Sequence, residues 1–124
     1  MEAFRLLSEV EPLERQNEHG GERQIYFRRL CSAQDYRTPI DFVDFTVIPP
    51  KSTIGWHSHH GNEETYFIAF GSPLVKVEEE QRRLSRGDIA VVREGQSHQL
   101  INDTQEDVEI LVFQVRSLTG GKNE

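Results

Sequence analysis

Between residues 24 and 115 the chain alternates apolar and polar positions in short runs, as in "DFVDFTVI" (41–48), "ETYFIAF" (64–70) and "VEILVFQV" (108–115). A period of two over four to eight residues is the signature of a strand with one face buried. The same reading marks strands at 24–30, 53–59, 73–78, 82–85, 89–92 and 97–102. Turn signals separate them: "PP", "HGN", "GSP", "RGD", "EGQ" and "NDT". Helix is confined to the N-terminus and to residues around Ser32 to Tyr36. Nine short strands at near-regular spacing predict an all-β fold, an antiparallel sandwich or barrel. Pro12 to Arg23 ("PLERQNEHGGER") and the tail "TGGKNE" carry no such pattern and read as mobile loop.

At 124 residues the chain has the length of one domain. The motif-bearing barrel core is expected at 40–116, with an N-terminal arm over 1–23 and a tail over 117–124. Hydrophobic residues make up 35% and charged residues 28%, and no apolar run approaches the length of a membrane span. No basic leader with an apolar core opens the sequence, so a cytoplasmic protein is expected. Cys31 is the only cysteine, which excludes an intrachain disulfide and a zinc–thiolate site. It reads as a small buried hydrophobe. A net charge of −7 argues against nucleic acid, whose binding draws on Lys and Arg. The basic run "QRRLSRGD" follows "VEEE" and predicts a solvated hairpin with charges paired across its strands. An N-terminal strand, "QIYFRRL", needs a sheet to join, and this points to a homodimer that removes an open edge.

Strand periodicity also sorts the polar residues. Side chains two apart share a face at a spacing of roughly 6.6 Å. His57 and His59 therefore project together, while Trp56 and Ser58 face away. Beyond the turn, Glu64, Tyr66, Ile68 and Phe70 share a face. If these two strands are antiparallel neighbours, Glu64 meets both histidines. His98 opens another strand, facing the same way as Leu100 and Asn102. Three imidazoles and a carboxylate inside a barrel are costly without a partner, and a divalent transition metal supplies one. Glu63 competes with Glu64 for the carboxylate, and the alternation with Tyr66 favours Glu64.

The same stretches resemble the cupin motifs. "HSHHGNEETYFIAFG" is similar to the first, His-x-His, three or four residues, Glu, six residues, Gly, with His57, His59, Glu64 and Gly71 in place. "GDIAVVREGQSHQLIN" is similar to the second, with Gly87, Gly95, His98 and Asn102. Two positions depart: Lys51 stands where the first motif usually begins with glycine, and Arg93 where the second usually has proline. The resemblance implies a cupin-type antiparallel β-barrel (a double-stranded β-helix or jelly roll) and a metal held by His57, His59, Glu64 and His98. Cupins with this set include dioxygenases, oxalate-type decarboxylases and isomerases, so the implied function is metal-dependent chemistry on a small oxygen-bearing organic molecule. Iron or manganese is favoured, with nickel, zinc and copper as alternatives. A non-catalytic metal- or ligand-binding cupin and an isomerase or cyclase are the rival readings.

Candidate proton carriers are Glu64, His60 in the turn and Tyr66 on the ligand face. The competing readings are a solvated turn residue for His60 and barrel packing for Tyr66. His19, in the N-terminal loop, is left outside the site. Asp44, Thr46 and Gln114 interrupt apolar strands and either line a pocket or satisfy buried backbone. Trp56 and Phe67 read as core or subunit interface.

Overall fold

Each of the nine predicted runs forms a strand in the computed structural model, which describes residues 3–118. A tenth precedes them. The order is β1 (Leu13–Gln16), β2 (Gln24–Ser32), β3 (Ile40–Ile48), β4 (Thr53–Ser58), β5 (Asn62–Phe70), β6 (Leu74–Val77), β7 (Glu80–Arg83), β8 (Ile89–Val92), β9 (Ser97–Ile101) and β10 (Val108–Arg116). They build two antiparallel sheets, one in the order β1-β2-β3-β10-β5-β8 and the other β4-β9-β6-β7. Most of the tail expected to be mobile, 119–124, lies outside the described residues.

β1 had no signal in the sequence. "LERQ" has one apolar residue, no alternation and four exposed positions. It is a strand because the edge of β2 offers it a backbone ladder, pairing Leu13 with Phe27 and Arg15 with Ile25. A helical turn at Glu18–Gly20 follows, so much of the stretch read as loop has defined structure. Helix is otherwise limited to single turns at Leu7–Glu9 and Ala33–Asp35.

The alternation works as a set of rows through the interior. One row aligns Ile48 with Val108, the next Thr46, Ile110 and Ile68. The third aligns Asp44, Val112 and Tyr66, and the fourth Phe42, Gln114 and Glu64. The opposite sheet supplies Ile54, Leu100 and Val75 in one row and His57, His98 and Val77 in the next. Ile48, Ile68, Leu100, Val108 and Ile110 are completely buried. Each such side chain contributes about 1.5–3 kcal/mol of hydrophobic stabilisation.

Asn102, the last motif residue, is a buried latch. Its amide nitrogen donates to the carbonyls of Ile48 and Glu106, both at 2.8 Å, and its oxygen accepts from the Thr104 backbone at 3.0 Å. Lys51 adopts φ +68°, the left-handed conformation that glycine would take there. Its ammonium donates to the Asp103 carbonyl at 2.9 Å, and its N–H to that of Asn102. Arg93 keeps its turn through the Gln96 side chain, which accepts its N–H at 2.9 Å.

The β6–β7 hairpin forms as expected, but its charges pair elsewhere. Arg82 meets Glu80 on the same strand at 3.1 Å, and Arg83 forks onto Asp103 at 2.7 and 2.9 Å. Trp56 is 47% exposed beneath the Lys76 ammonium and is not core. No helix among the described residues is long and apolar enough to cross a membrane.

Candidate metal centre

β4 and β9 are antiparallel neighbours, and their register sets His57 directly opposite His98. His59 lies one residue past the end of β4, anchored where its N–H donates to the Gln96 carbonyl at 3.0 Å. Glu64 comes from β5, which belongs to the other sheet. The sequence allowed for β4 and β5 as adjacent strands. They are not, and Glu64 reaches its partners across the interior of the sandwich.

The four groups converge. Nε2 of His98 is 2.9 Å from Nε2 of His59 and 3.1 Å from Nε2 of His57. Oε1 of Glu64 is 3.2 Å from Nε2 of both His59 and His98. All four candidate ligand atoms fall within 4.8 Å of one another. Glu63, the rival carboxylate, points outward and accepts the Glu94 N–H at 3.3 Å.

Second contacts decide what these nitrogens carry. Nδ1 of His57 is 2.7 Å from the Gly55 carbonyl, which can only accept, so the proton is on Nδ1 and the lone pair on Nε2. Nδ1 of His59 stands 2.6 Å from the amide oxygen of Asn62, which accepts its proton, so Nε2 donates to Glu64 when this ring is protonated and offers a lone pair when it is neutral. Nitrogens facing one another at about 3 Å need a proton or a metal cation between them. At metal–ligand bonds of about 2.1 Å, atoms at right angles stand ~3.0 Å apart and atoms at the tetrahedral angle ~3.4 Å. Four of the six separations, at 2.9–3.2 Å, fit right-angled ligands, and the other two lie within 4.8 Å. Nδ1 of His98 is the one buried side-chain polar atom without a partner among the described residues.

Burial pushes the His57 imidazole down to about 4, only partly offset by its bond to Gly55. Burial would raise the Glu64 carboxyl, but hydrogen bonds from His59 and His98 overcome this and hold it at about 2. Burial also lowers His98, against the pull of Glu64. At His59 burial works the same way, yet the bond to Glu64 wins and raises it. Near neutral pH, Glu64 is therefore a carboxylate and His57 a neutral imidazole, the forms that a metal would require.

The cluster opens into a cavity of about 320 Å³. Tyr66 lines it, 3% exposed, with its ring 4.9 Å from that of His98. Burial, then the charge of Glu64, raises its phenol well above the usual range, so it stays protonated. Asp44, Thr46 and Gln114 all line the cavity, which settles their reading in favour of a pocket. His60 is exposed in the turn and is not part of the cavity lining.

Sequence reasoning missed several cavity residues, among them Arg15, Glu18, His19 and Arg29. Arg29 forks onto Asp44, with both bonds at 2.9 Å, and stacks over Phe42 at 4.3 Å. Its signal was an arginine two residues from Phe27 on one strand face. Arg15 covers the Phe27 ring at 4.6 Å. His19 lies flat against His57, with ring centroids 3.6 Å apart. Neither Arg15 nor His19 had a periodicity to announce it.

A family model described as "Cupin domain" matches residues 44–114, more than half of the chain. The chain belongs to the cupin family. An oxalate-binding protein of Thermotoga maritima is 27% identical over 104 residues, 84% of this cupin and 86% of that protein. The crystal structure of a predicted oxalate decarboxylase from Thermotoga maritima superposes with a TM-score of 0.89 at 24% identity, covering 92% of this chain and 99% of that one. KdgF from Halomonas sp. superposes with a TM-score of 0.75 at 18% identity, covering 98% and 99%. These superpositions establish the fold. The four metal-cluster residues lie inside the family match, whereas Arg15, Glu18 and His19 precede it.

Proposed function

We propose that this cupin is a metal-dependent enzyme acting on a small oxygen-bearing organic acid, by decarboxylation or by dioxygen-dependent cleavage. The observation that carries the reading is the convergence of three Nε2 atoms and one carboxylate oxygen beside a cavity that His57, His59 and Glu64 help to line. His57, His59, Glu64 and His98 would hold one divalent ion, iron or manganese by preference. Such an ion polarises a substrate oxygen as a Lewis acid and, if redox-active, activates dioxygen. The protein's own groups do the rest. Tyr66 donates a hydrogen bond from Oη into the cavity, Phe27 and Phe42 exclude water, and Arg29 offers its remaining N–H groups. The relatives' names, one bound to oxalate and one to its decarboxylation, support a carboxylate substrate. No nucleophile–base pair of the hydrolase kind accompanies them among the described residues.

A second reading has one observation behind it: the relative from Thermotoga maritima is named for binding, not turnover. The experiment is anaerobic reconstitution with Fe(II) or Mn(II), then oxygen uptake and product analysis on oxalate, 2-oxo acids, enediols and flavonols. Metal-dependent turnover of an acid is expected. Tight binding of a metal and an acid without turnover selects the binding reading, and failure to bind either ion defeats both.

We also propose a homodimer. The outward face of β3 is apolar: Val43, Phe45 and Val47 point away from the core beside Phe113 and Leu111 of β10. An antiparallel sheet with one wet face alternates instead. Sedimentation at micromolar concentration tests this, and a monomer rejects it. Cytoplasmic residence is proposed with it, to be read by cell fractionation.

A further inference from the structure

His19 precedes the family match and belongs to neither motif, yet its ring lies 10° from parallel with that of His57 at 3.6 Å. We propose that His19 is a positioning residue for the metal centre, its ring fixing the tilt of His57 so that Nε2 aims into the cluster. This rests on the metal reading above.

Of the three imidazoles, His57 is the one that lacks support. His98 is completely buried, and His59 is buried with Nδ1 on the Asn62 side chain. His57 is only partly buried, and apart from the 3.1 Å contact of its Nε2 with His98 inside the cluster, its hydrogen bond runs to the carbonyl of Gly55, two residues back on its own strand. That bond chooses which nitrogen faces the cluster but leaves the ring free to tilt about it. A parallel ring against the open flank removes that freedom.

The backbone that presents His19 is unusual and firmly held. Asn17, His19 and Arg23 have φ of 53°, 51° and 61°, a region that side-chain-bearing residues rarely enter. Such conformations persist only where the surroundings over-determine them. Here the Asn17 N–H donates to the Arg23 carbonyl at 2.8 Å and the Asn17 side chain to that of Gly21 at 3.0 Å. Thr53 on β4 clamps the far end. It donates its N–H to the Glu22 carbonyl at 3.0 Å and accepts the Glu22 N–H on Oγ1 at 2.7 Å.

Two glycines then let the backbones touch. A Cβ on Gly55 would stand 2.2 Å from the His19 carbonyl oxygen, and one on Gly21 would stand 2.4 Å from that of Thr53. Neither glycine needs a left-handed backbone; both are there for space. The segment is thus latched onto β4 two residues before His57, and the latch sets the height of the His19 ring.

The test uses the full chain stripped with chelator, titrated with Mn(II) or Co(II) by calorimetry, with the visible spectrum of bound Co(II) as a report on ligand geometry. His19→Ala is expected to weaken each ion roughly 3- to 10-fold and to shift the Co(II) bands. His19→Phe keeps a flat ring and should restore both. Gly21→Ala, which pushes the segment off β4, should reproduce the alanine loss. His19 is 45% exposed, so its replacements leave the core untouched, which far-ultraviolet circular dichroism checks. Wild type and His19→Ala with equal affinities and the same Co(II) spectrum would overturn the inference, as would a His19→Phe no better than alanine. A wild type that takes up neither ion defeats the metal reading itself, and is told apart from these by that fact.

Discussion

The two ends of this sandwich obey one rule and reach opposite results. At one end the inward rows are Ile48 with Val108, then Ile68 with Ile110, facing Leu100 and Val75, all buried. At the other, two rows further along the same strands, the inward positions are Glu64 and Gln114, facing His57 and His98. The strands run on from one end to the other, with a register shift on β4 between Ile54 and His57, and it is the inward side chains that change character. The apolar end needs nothing from outside the chain, because apolar contact is its own reward. The polar end gathers three imidazoles around a buried carboxylate, a set that could hold a metal ion. Stability and function are thus divided along the strands, with Tyr66 at the border.

Perturbations of the two ends should therefore report in different measurements. The largest effect belongs to the apolar end. Leu100→Ala should lose about 2–5 kcal/mol in urea unfolding, the cost of a cavity in a completely buried site. Metal stoichiometry should be unchanged, and a Leu100→Ala protein that folds but binds no ion would erase the division. Next comes the polar end. An ion at a hundred times its Kd should raise wild-type stability by about 2.7 kcal/mol in melts with and without Mn(II). Glu64→Gln should stay folded and lose that increment.

The border residue gives a smaller, pH-dependent effect. Burial raises the Tyr66 phenol far above its unfolded value of about 10. The folded state thus keeps a proton that the unfolded state releases. Its stabilising contribution is complete below pH ~10 and drains away above it, by about 1.4 kcal/mol per pH unit. Urea melts at pH 9 and pH 11 should show this loss, reduced in Tyr66→Phe. Smallest of all is a change outside both ends. The Arg83–Asp103 fork is exposed, and Arg83→Ala should fall within the error of a urea melt. The hydrogen bond from Arg83 lowers the Asp103 carboxyl, so what little it adds is present above the ordinary carboxylate range and is lost on acidification.

Much of this was legible in the chain. Alternation in "ETYFIAF" and "VEILVFQV" placed nine strands, and the spacing from His57 to Glu64 and on to His98 named the cluster. Lys51 shows where a sequence pattern needs an equivalent and not an identity: a lysine takes the left-handed turn that glycine usually fills. Less legible was β1, because an edge strand borrows its ladder from a neighbour and need bury nothing of its own. The charges of "QRRLSRGD" formed a hairpin but found Asp103, which a local reading of "VEEE" could not offer.

Local order fixed the strands, most of their inward faces and the four candidate ligands, since period and side-chain chemistry are properties of neighbours along the chain. Tertiary structure alone decided that β5 would face β4 across the interior instead of lying beside it, and that His19 would rest on His57. Both depend on contacts between segments distant in sequence, where the deciding term is the shape of the space left between two backbones, as at Gly21 and Gly55.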